Sequence, residues 1–476
     1  MPRRLALVAL ALAIHTALCV SAKGHRVEFV RPLPTATKLF RVHGAKPELD
    51  ALIKDAGSSI DVWRVRRSGD GSDDAVDAEI AATPQVMQKL LDKRRPSRVD
   101  IKLSRGGHLK ATLHSKLRAK ELRDLDEIAA RDRVQVAACR NATEGFMQDI
   151  GKVVKLTDSD FFDCFRPADE ILWFLDVLAT RYPESIVKLP FVSTTYENRS
   201  IPVFKISSSA RDKGKSKKAI FVQSLLHARE WIGGSSTLFT MAAMLDDLHT
   251  NATEMVSLLN EYDWFFAPIA NVDGYINSWE QDRYWRVNRH AMNGYDGVDL
   301  NRNYPPQEYF NVDPADVDAE TYPGPSPLSE SETKGLYEFV TNLDGLSGVV
   351  DMHSYGALVL RPFSDARGEP PEPYRSAMRE LGDAVRDAAS SPTQKYVSEP
   401  SGALYPAYGC FDDAIFRFSN FTVPSITIEV EGDDFTAPQS TIREVGARMY
   451  RALRQFGKQA TKYGELMRAI AEERDE

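Results

Sequence analysis

Apolar positions recur along this chain with two different periods. Between residues 38 and 103 they alternate in short runs. Lys38–His43, Ser59–Val65, Ala75–Ala81 and Arg98–Leu103 read as strands. Between them, Lys46–Ala56 spaces Leu49, Leu52 and Ile53 three and four apart. Pro84–Leu91 reads as a second helix, with proline in its first turn. The order βαββαβ predicts a ferredoxin-like α+β unit over residues 26–103. The pattern fades over 104–158, where charge dominates, and this stretch reads as a connecting segment. From Ser159 it changes again. Apolar runs at Ala219–Leu226, Trp264–Ala270, Leu346–Met352 and Ser425–Val430 are buried strands. Helical stretches such as 169–182, 234–249 and 329–342 separate them, and Lys188–Ser208 reads as a hairpin. This alternation predicts an α/β domain over 159–458 with a mixed, largely parallel sheet covered by helices. Residues 440–458 form its last helix, and 459–476 read as a charged tail.

Length and charge narrow the class. At 476 residues the chain is long enough for two or three units at roughly 100–200 residues each. The net charge of −8 comes from mixed acids and bases. That argues against a nucleic-acid binder, which concentrates basic residues on one face. The first 22 residues pair a short basic start with an apolar stretch ending Val20-Ser21-Ala22, the form of a secretory signal peptide. His15 and Thr16 interrupt that stretch, and no later run reaches membrane-spanning length, so a secreted chain without a membrane span is expected. Cys139, Cys164 and Cys410 then remain, an odd number, and Cys139–Cys164 is the nearer pair for one bridge. Asn141, Asn198, Asn251 and Asn420 head N-glycosylation sequons.

Candidate chemistry sits at strand ends. His227 directly follows one buried run and opens His227-Ala-Arg-Glu-Trp231. His353 directly follows another. In open α/β sheets, ligands bind beyond the carboxyl ends of strands. His227, Glu230 and His353 would supply two imidazoles and a carboxylate, a donor set that suits one catalytic zinc with an open position. The spacing alone leaves a structural role for each residue open.

The ordered motifs His227-Ala-Arg-Glu-Trp231, Trp285-Arg286, Asp299-Leu-Asn-Arg-Asn303, His353-Ser-Tyr355 and Thr427-Ile-Glu429 resemble the metallocarboxypeptidases of the carboxypeptidase A/B family. The resemblance covers roughly residues 160–458. Lys38–Val42 and Asp61–Arg64 are similar to that family's propeptide. The resemblance implies a secreted zymogen, one zinc ion per chain, peptide C-termini as substrate and a trypsin-like activating protease that cuts within 104–158. A monomer is expected.

By the same resemblance, Glu429 is the catalytic carboxylate and Arg286 the oxyanion-stabilising arginine. Its neighbour Glu431 reads as a surface group. Asn301, Arg302 and Arg229 bind substrate, and Tyr405 closes over it, with Tyr408 as the competing candidate. Ser354 and Tyr355, next to the zinc ligand His353, are expected to bind substrate as well. Asp412 lies at the base of the pocket for the C-terminal side chain, and Ser364 matches a small polar position there. An aspartate at that base accompanies C-terminal Lys or Arg. The alternatives are a carboxypeptidase A-like preference for apolar side chains and an inactive binding homologue.

Two departures stand out. The family often has a disulfide near Arg286 and Asn303, and no cysteine lies there. Cys410 stands near the pocket wall. A Cys139–Cys164 bridge would also keep the two parts joined after a cut between them.

Overall fold

The computed structural model describes residues 37–475 apart from 57–58, 68–74, 93–97, 103–107, 113–117, 151, 212–216, 311–318, 366–367 and 404–405. The expected signal segment and Tyr405 therefore lie outside the described residues.

The N-terminal region is built on an antiparallel sheet. Strands β1 (Lys38–Ala45), β2 (Asp61–Arg67) and β3 (Ala75–Ala82) alternate with helices α1 (Lys46–Ala56) and α2 (Pro84–Asp92). Their core joins Phe40, Val42, Leu49, Leu52, Ile80, Met87 and Leu91. The sequence reading placed the fourth strand of this sheet at 98–103. Instead, among the described residues, β4 (Arg98–Lys102) pairs only with β5 (His108–Thr112), as a separate hairpin. The fourth place, beside β1, goes to β6 (Arg118–Asp124).

The stretch read as a charged connector is thus partly ordered. After β6, Asp124 caps the 18-residue helix α3 (Leu125–Ala142), its carboxylate accepting from Glu127 N. Buried Asp132 on α3 accepts from Arg283 Nε at 2.8 Å, and Arg133 donates to the Gln281 carbonyl at 2.6 Å. Cys139 at the helix end is bonded to Cys164. Charges that read as solvated are therefore partly spent on holding this helix to residues far along the chain.

The main sheet has eight strands. In chain order these include β7 (Ile186–Lys188), β10 (Phe204–Ile206), β11 (Lys218–Ser224), β12 (Tyr262–Ala267), β13 (Leu346–Ser354), β14 (Leu358–Arg361), β15 (Val397–Pro400) and β16 (Ser425–Val430). The remaining strands, β8 (Ser193–Thr194) and β9 (Ser200–Ile201), form a small hairpin. The spatial order is β15-β14-β16-β13-β11-β12-β10-β7. The four central strands β16, β13, β11 and β12 run parallel, and antiparallel strands extend the sheet on both sides. Parallel strands must be covered on both faces, which is why these four read as continuous apolar runs.

Helices supply that cover. They include α4 (Ala168–Arg181), α5 (Trp231–His249), α6 (Thr253–Glu261), α7 (Val272–Glu280), α8 (Ser331–Thr341), α9 (Tyr374–Ala389), α10 (Phe411–Phe418) and α11 (Ile442–Asp475). Gly233 brings α5 against β13, where a Cβ would meet the Met352 and His353 carbonyls at 3.3 Å. Helix α11 runs 34 residues and takes up nearly all of the expected charged tail. Buried Phe456, Ala460, Tyr463 and Met467 continue its three-and-four spacing past residue 458. Among the described residues, no helix is long and apolar enough to cross a membrane.

Candidate metal centre and active site

Strand β11 ends at Ser224, and the chain turns through Leu225, whose φ is +55°. His227 follows, and Glu230 lies at the start of α5. His353 is the penultimate residue of the adjacent strand β13. Sheet order therefore joins residues more than a hundred positions apart. His227, Glu230 and His353 are all buried, and their donor atoms lie within 4.8 Å of one another. His227 Nδ1 is 2.9 Å from Glu230 Oε1, and His353 Nδ1 is 3.0 Å from Glu230 Oε2. The two Nδ1 atoms stand 3.1 Å apart. Nitrogens turned toward one another in this way fit a cation between them.

The surroundings of the cluster fit the same reading. His227 Nε2 is 3.1 Å from Asp299 Oδ1, which leaves Nδ1 as the inward atom. Imidazole ligands commonly give their other N–H to a carboxylate. Asp299 is fully buried and also receives Arg286 Nη2 at 2.8 Å and Asn301 N at 2.9 Å. One carboxylate thus orients a ligand, an arginine and an asparagine. The sequence reading had it only as a motif letter, because nothing in its local pattern signals this role. Glu230 Oε2 also accepts from Ser354 N at 3.1 Å. Burial works against the Glu230 charge, but the two imidazoles outweigh it and hold its carboxyl well below the ordinary range.

The other predicted residues surround the cluster. Arg286 Nη1 lies 3.3 Å from His227 Nδ1, and its Nε donates to the Glu320 carbonyl at 3.0 Å. Glu429 on β16 is the register partner of His353. Its Oε2 is buried without a hydrogen-bond partner. Burial, together with the neighbouring Glu230 charge, pushes the Glu429 carboxyl up to about 7. Glu431 is not a surface group: it accepts from the Tyr396 hydroxyl and from Arg448 and is mostly buried.

Asn301 approaches His353 Nε2 through its amide at 3.3 Å and accepts from Phe411 N at 2.9 Å. Arg302 donates to the Asn301 carbonyl at 2.7 Å and reaches within 3.6 Å of Cys410 Sγ. Gly409 lies against the Arg302 backbone with φ +74°, where a Cβ would stand 2.2 Å from the Arg302 carbonyl oxygen. A side chain there would separate the arginine from helix α10. Cys410 is a buried free thiol. At the head of α10, Asp412 and Asp413 are both buried. Asp413 Oδ2 accepts from Ser364 N at 2.8 Å, and Asp413 Oδ1 and Asp412 Oδ2 have no partner. Burial pushes both carboxyls above the ordinary range.

Two predicted site residues bond to the N-terminal region. Arg229 is buried, and its guanidinium meets the Asp61 carboxylate at 2.6 and 3.4 Å. Glu320 adds a contact at 3.3 Å, and Phe435 stacks 4.2 Å from the guanidinium carbon. The Tyr355 hydroxyl donates to Glu79 Oε2 at 2.7 Å. The four sequon asparagines, Asn141, Asn198, Asn251 and Asn420, are all exposed.

Fold and cluster define a class, an α/β protein with a buried His-Glu-His metal site at the carboxyl ends of its central strands. The zinc carboxypeptidase (peptidase M14) family matches residues 171–452, and the chain belongs to that family. His227, Glu230 and His353 are its zinc site, in the pattern typical of the family. Carboxypeptidase B of Rattus norvegicus is 33% identical over 286 residues, 57% of this chain and 65% of the rat protein. The match thus spans just under two thirds of that relative. An inactive metallocarboxypeptidase ecm14 of Talaromyces stipitatus is 31% identical over 244 residues, 49% of this chain and 41% of its own. Among solved structures, carboxypeptidase A of Helicoverpa armigera superposes with a TM-score of 0.69 at 22% identity. That match covers 89% of this chain and 97% of the other, and it establishes the fold.

Proposed function

We propose that this protein is a zinc-dependent carboxypeptidase, made as an inhibited precursor, that removes single residues from peptide C-termini with a preference for Lys and Arg. The observation that carries the reading is the Glu429 carboxylate beside the His353 ligand, its Oε2 buried without a hydrogen-bond partner. Zinc held by His227, Glu230 and His353 would supply Lewis acidity and make water a stronger acid. Glu429 accepts a proton from the attacking water and delivers it to the departing amine nitrogen. Arg286, aimed at the cluster, stabilises the negative oxygen that develops on the scissile carbonyl. Arg302, with Asn301 and Arg229, takes the free carboxylate through a guanidinium fork. Ser354 and Tyr355 adjoin the ligand cluster, and Tyr405 covers the substrate.

The preference rests on Asp412 and on Ser364 beside Asp413. Asp412 Oδ2 is buried without a partner, which is costly, and a Lys or Arg side chain would complete it. Inhibition rests on Asp61 and Glu79, which occupy Arg229 and Tyr355. A trypsin-like protease cutting within 104–158 would relieve it. Secretion and glycosylation follow from residues 1–22 and the exposed sequons. The inactive relative favours a second reading, a binding homologue, but His227, Glu230, His353, Arg286 and Glu429 are all retained.

The test is release of C-terminal Arg, Lys, Phe and Leu from matched peptides by the trypsin-treated protein, with and without a chelator. Chelator-sensitive release of Arg and Lys is expected. Release of Phe and Leu alone would remove the basic pocket. No release from zinc-loaded, cleaved protein would leave the binding homologue.

A further inference from the structure

The sheet face beneath the metal site is graded in layers. His353 and Glu429 form the upper row across β13 and β16. Two residues earlier on each strand, on the same face, stand Asp351 and Thr427, and Gln223 of β11 is the next register partner. Below them the face turns apolar with Phe221 and Val349, which pack with Phe411 and Ala414 of α10. A polar row thus crosses the middle of a buried sheet.

That row is not satisfied by the protein itself. Gln223 and Asp351 are fully buried, and neither side chain has a hydrogen-bond partner. Asp351 Oδ2 lies 2.8 Å from His353 Nε2, a close charge contact without the geometry of a directed hydrogen bond. Asp412 faces this row from α10. Burial and then the nearby Asp351 charge push the Asp412 carboxyl up, and hydrogen bonding to Thr427, beside Asp351, works in the opposite direction. A buried unpartnered carboxylate costs several kcal/mol, as an order of magnitude. Asp351 Oδ1, Asp412 Oδ2 and the Gln223 amide oxygen, all buried acceptors without a hydrogen-bond partner, describe a receptor for a cationic group with several donors.

We infer that Asp351 is a specificity-determining residue, a second carboxylate that receives the cationic side chain of the departing C-terminal residue together with Asp412. This rests on the exopeptidase reading above. A guanidinium carries five N–H donors on several edges and can meet two carboxylates and the Gln223 amide oxygen at once. An ammonium is a point charge with three. Arginine is therefore ranked above lysine.

The experiment compares zinc-loaded, cleaved wild type with Asp351→Asn and Asp351→Ser on matched peptides ending in Arg, Lys and Phe. Zinc affinity is read by chelator competition, and free arginine is tested as a competitive inhibitor. We expect kcat/KM for Arg to fall about 10–100-fold, the scale of one hydrogen bond to a charged group. The fall should come through KM, with a smaller change for Lys and Phe within about threefold, again on that scale. Arginine inhibition should weaken in parallel, and because Asp351 also faces His353 Nε2, the loss on Arg should exceed any loosening of zinc, which lowers all three peptides alike. Equal losses on all three peptides through kcat, with looser zinc, would instead make Asp351 a support for His353 and overturn the inference. Unchanged Arg kinetics in either folded variant would also overturn it. A wild type that releases only Phe would fail at the underlying preference, before Asp351 is in question.

Discussion

Glu429 and His353 are directly paired across the parallel strands β16 and β13, so a carboxylate stands one strand spacing from a zinc ligand on the same face. The strand register sets this distance, and no loop needs to close to create it. Replacing Glu429 with Gln keeps the shape and removes the proposed proton acceptor. The expected outcome is a fall in kcat of about 10²–10⁴, the usual range for general acid–base groups. Zinc content, measured by atomic emission, should not change. A variant that loses its zinc would assign Glu429 to metal binding.

Asp299 has a different part. It faces the outer nitrogen of His227 and also anchors Arg286 and Asn301. Asp299→Asn should weaken zinc binding by about 10–100-fold, as loss of a carboxylate behind an imidazole ligand does. Chelator competition reads this without any substrate. Wild-type zinc affinity would mean that His227 needs no such support.

Much of this was readable before any coordinates, for physical reasons. Strands buried on both faces leave apolar runs, and His227 and His353 stand at the ends of two of them. The order of those strands in space is not local information. It brings Glu429 beside His353 and lines up Gln223, Asp351 and Thr427. Asp299 was missed as an organiser for the same reason, since its partner His227 lies 72 residues away. The segment 104–158 misled because its charges resemble a solvated linker. Asp132 in fact pairs with Arg283, 151 residues on, and no periodicity can show such a pair. Helix α11 was cut short where charge rose, although Ala460, Tyr463 and Met467 kept its spacing.

The Asp61–Arg229 pair makes the inhibitory reading testable. Both groups are buried. Removing one member of a buried pair costs roughly 3–5 kcal/mol, because the other is left uncompensated. In Asp61→Ala, Glu320 keeps one contact to Arg229, so the lower end is expected. The uncleaved variant should hydrolyse a small peptide faster than uncleaved wild type, which should be nearly silent. Equal rates would mean that the N-terminal region does not restrain the site through this pair.

Cleavage need not release the N-terminal region. Cys139 lies on helix α3 and Cys164 just before α4, with exposed Lys152 and Lys155 between them. A trypsin cut at either lysine should leave two polypeptides joined by the disulfide. Non-reducing gels should show one band and reducing gels two. Two bands without reductant would place the cut outside the bridge or the bridge outside the mature enzyme.

Glu332 gives stability a pH dependence away from the metal. It is fully buried near the start of α8, accepting from Tyr196 N at 3.1 Å, with Oε2 unpartnered. Burial, with the charges of Glu330 and Asp273, raises its carboxyl from 4.5 to about 7. The folded protein therefore keeps this proton over a range where the unfolded chain has lost it. Below about pH 4.5 both states are protonated and the residue is neutral in effect. Stability then falls as pH rises to about 7 and stays reduced above it. The shift corresponds to roughly 3 kcal/mol. Glu332→Gln keeps an acceptor for Tyr196 N and cannot ionise. Urea unfolding at pH 5 and pH 8 should show the variant gaining on wild type by most of that amount. A gap between the two proteins that is the same at both pH values would mean that Glu332 is ionised in the fold, with a partner that offsets its burial.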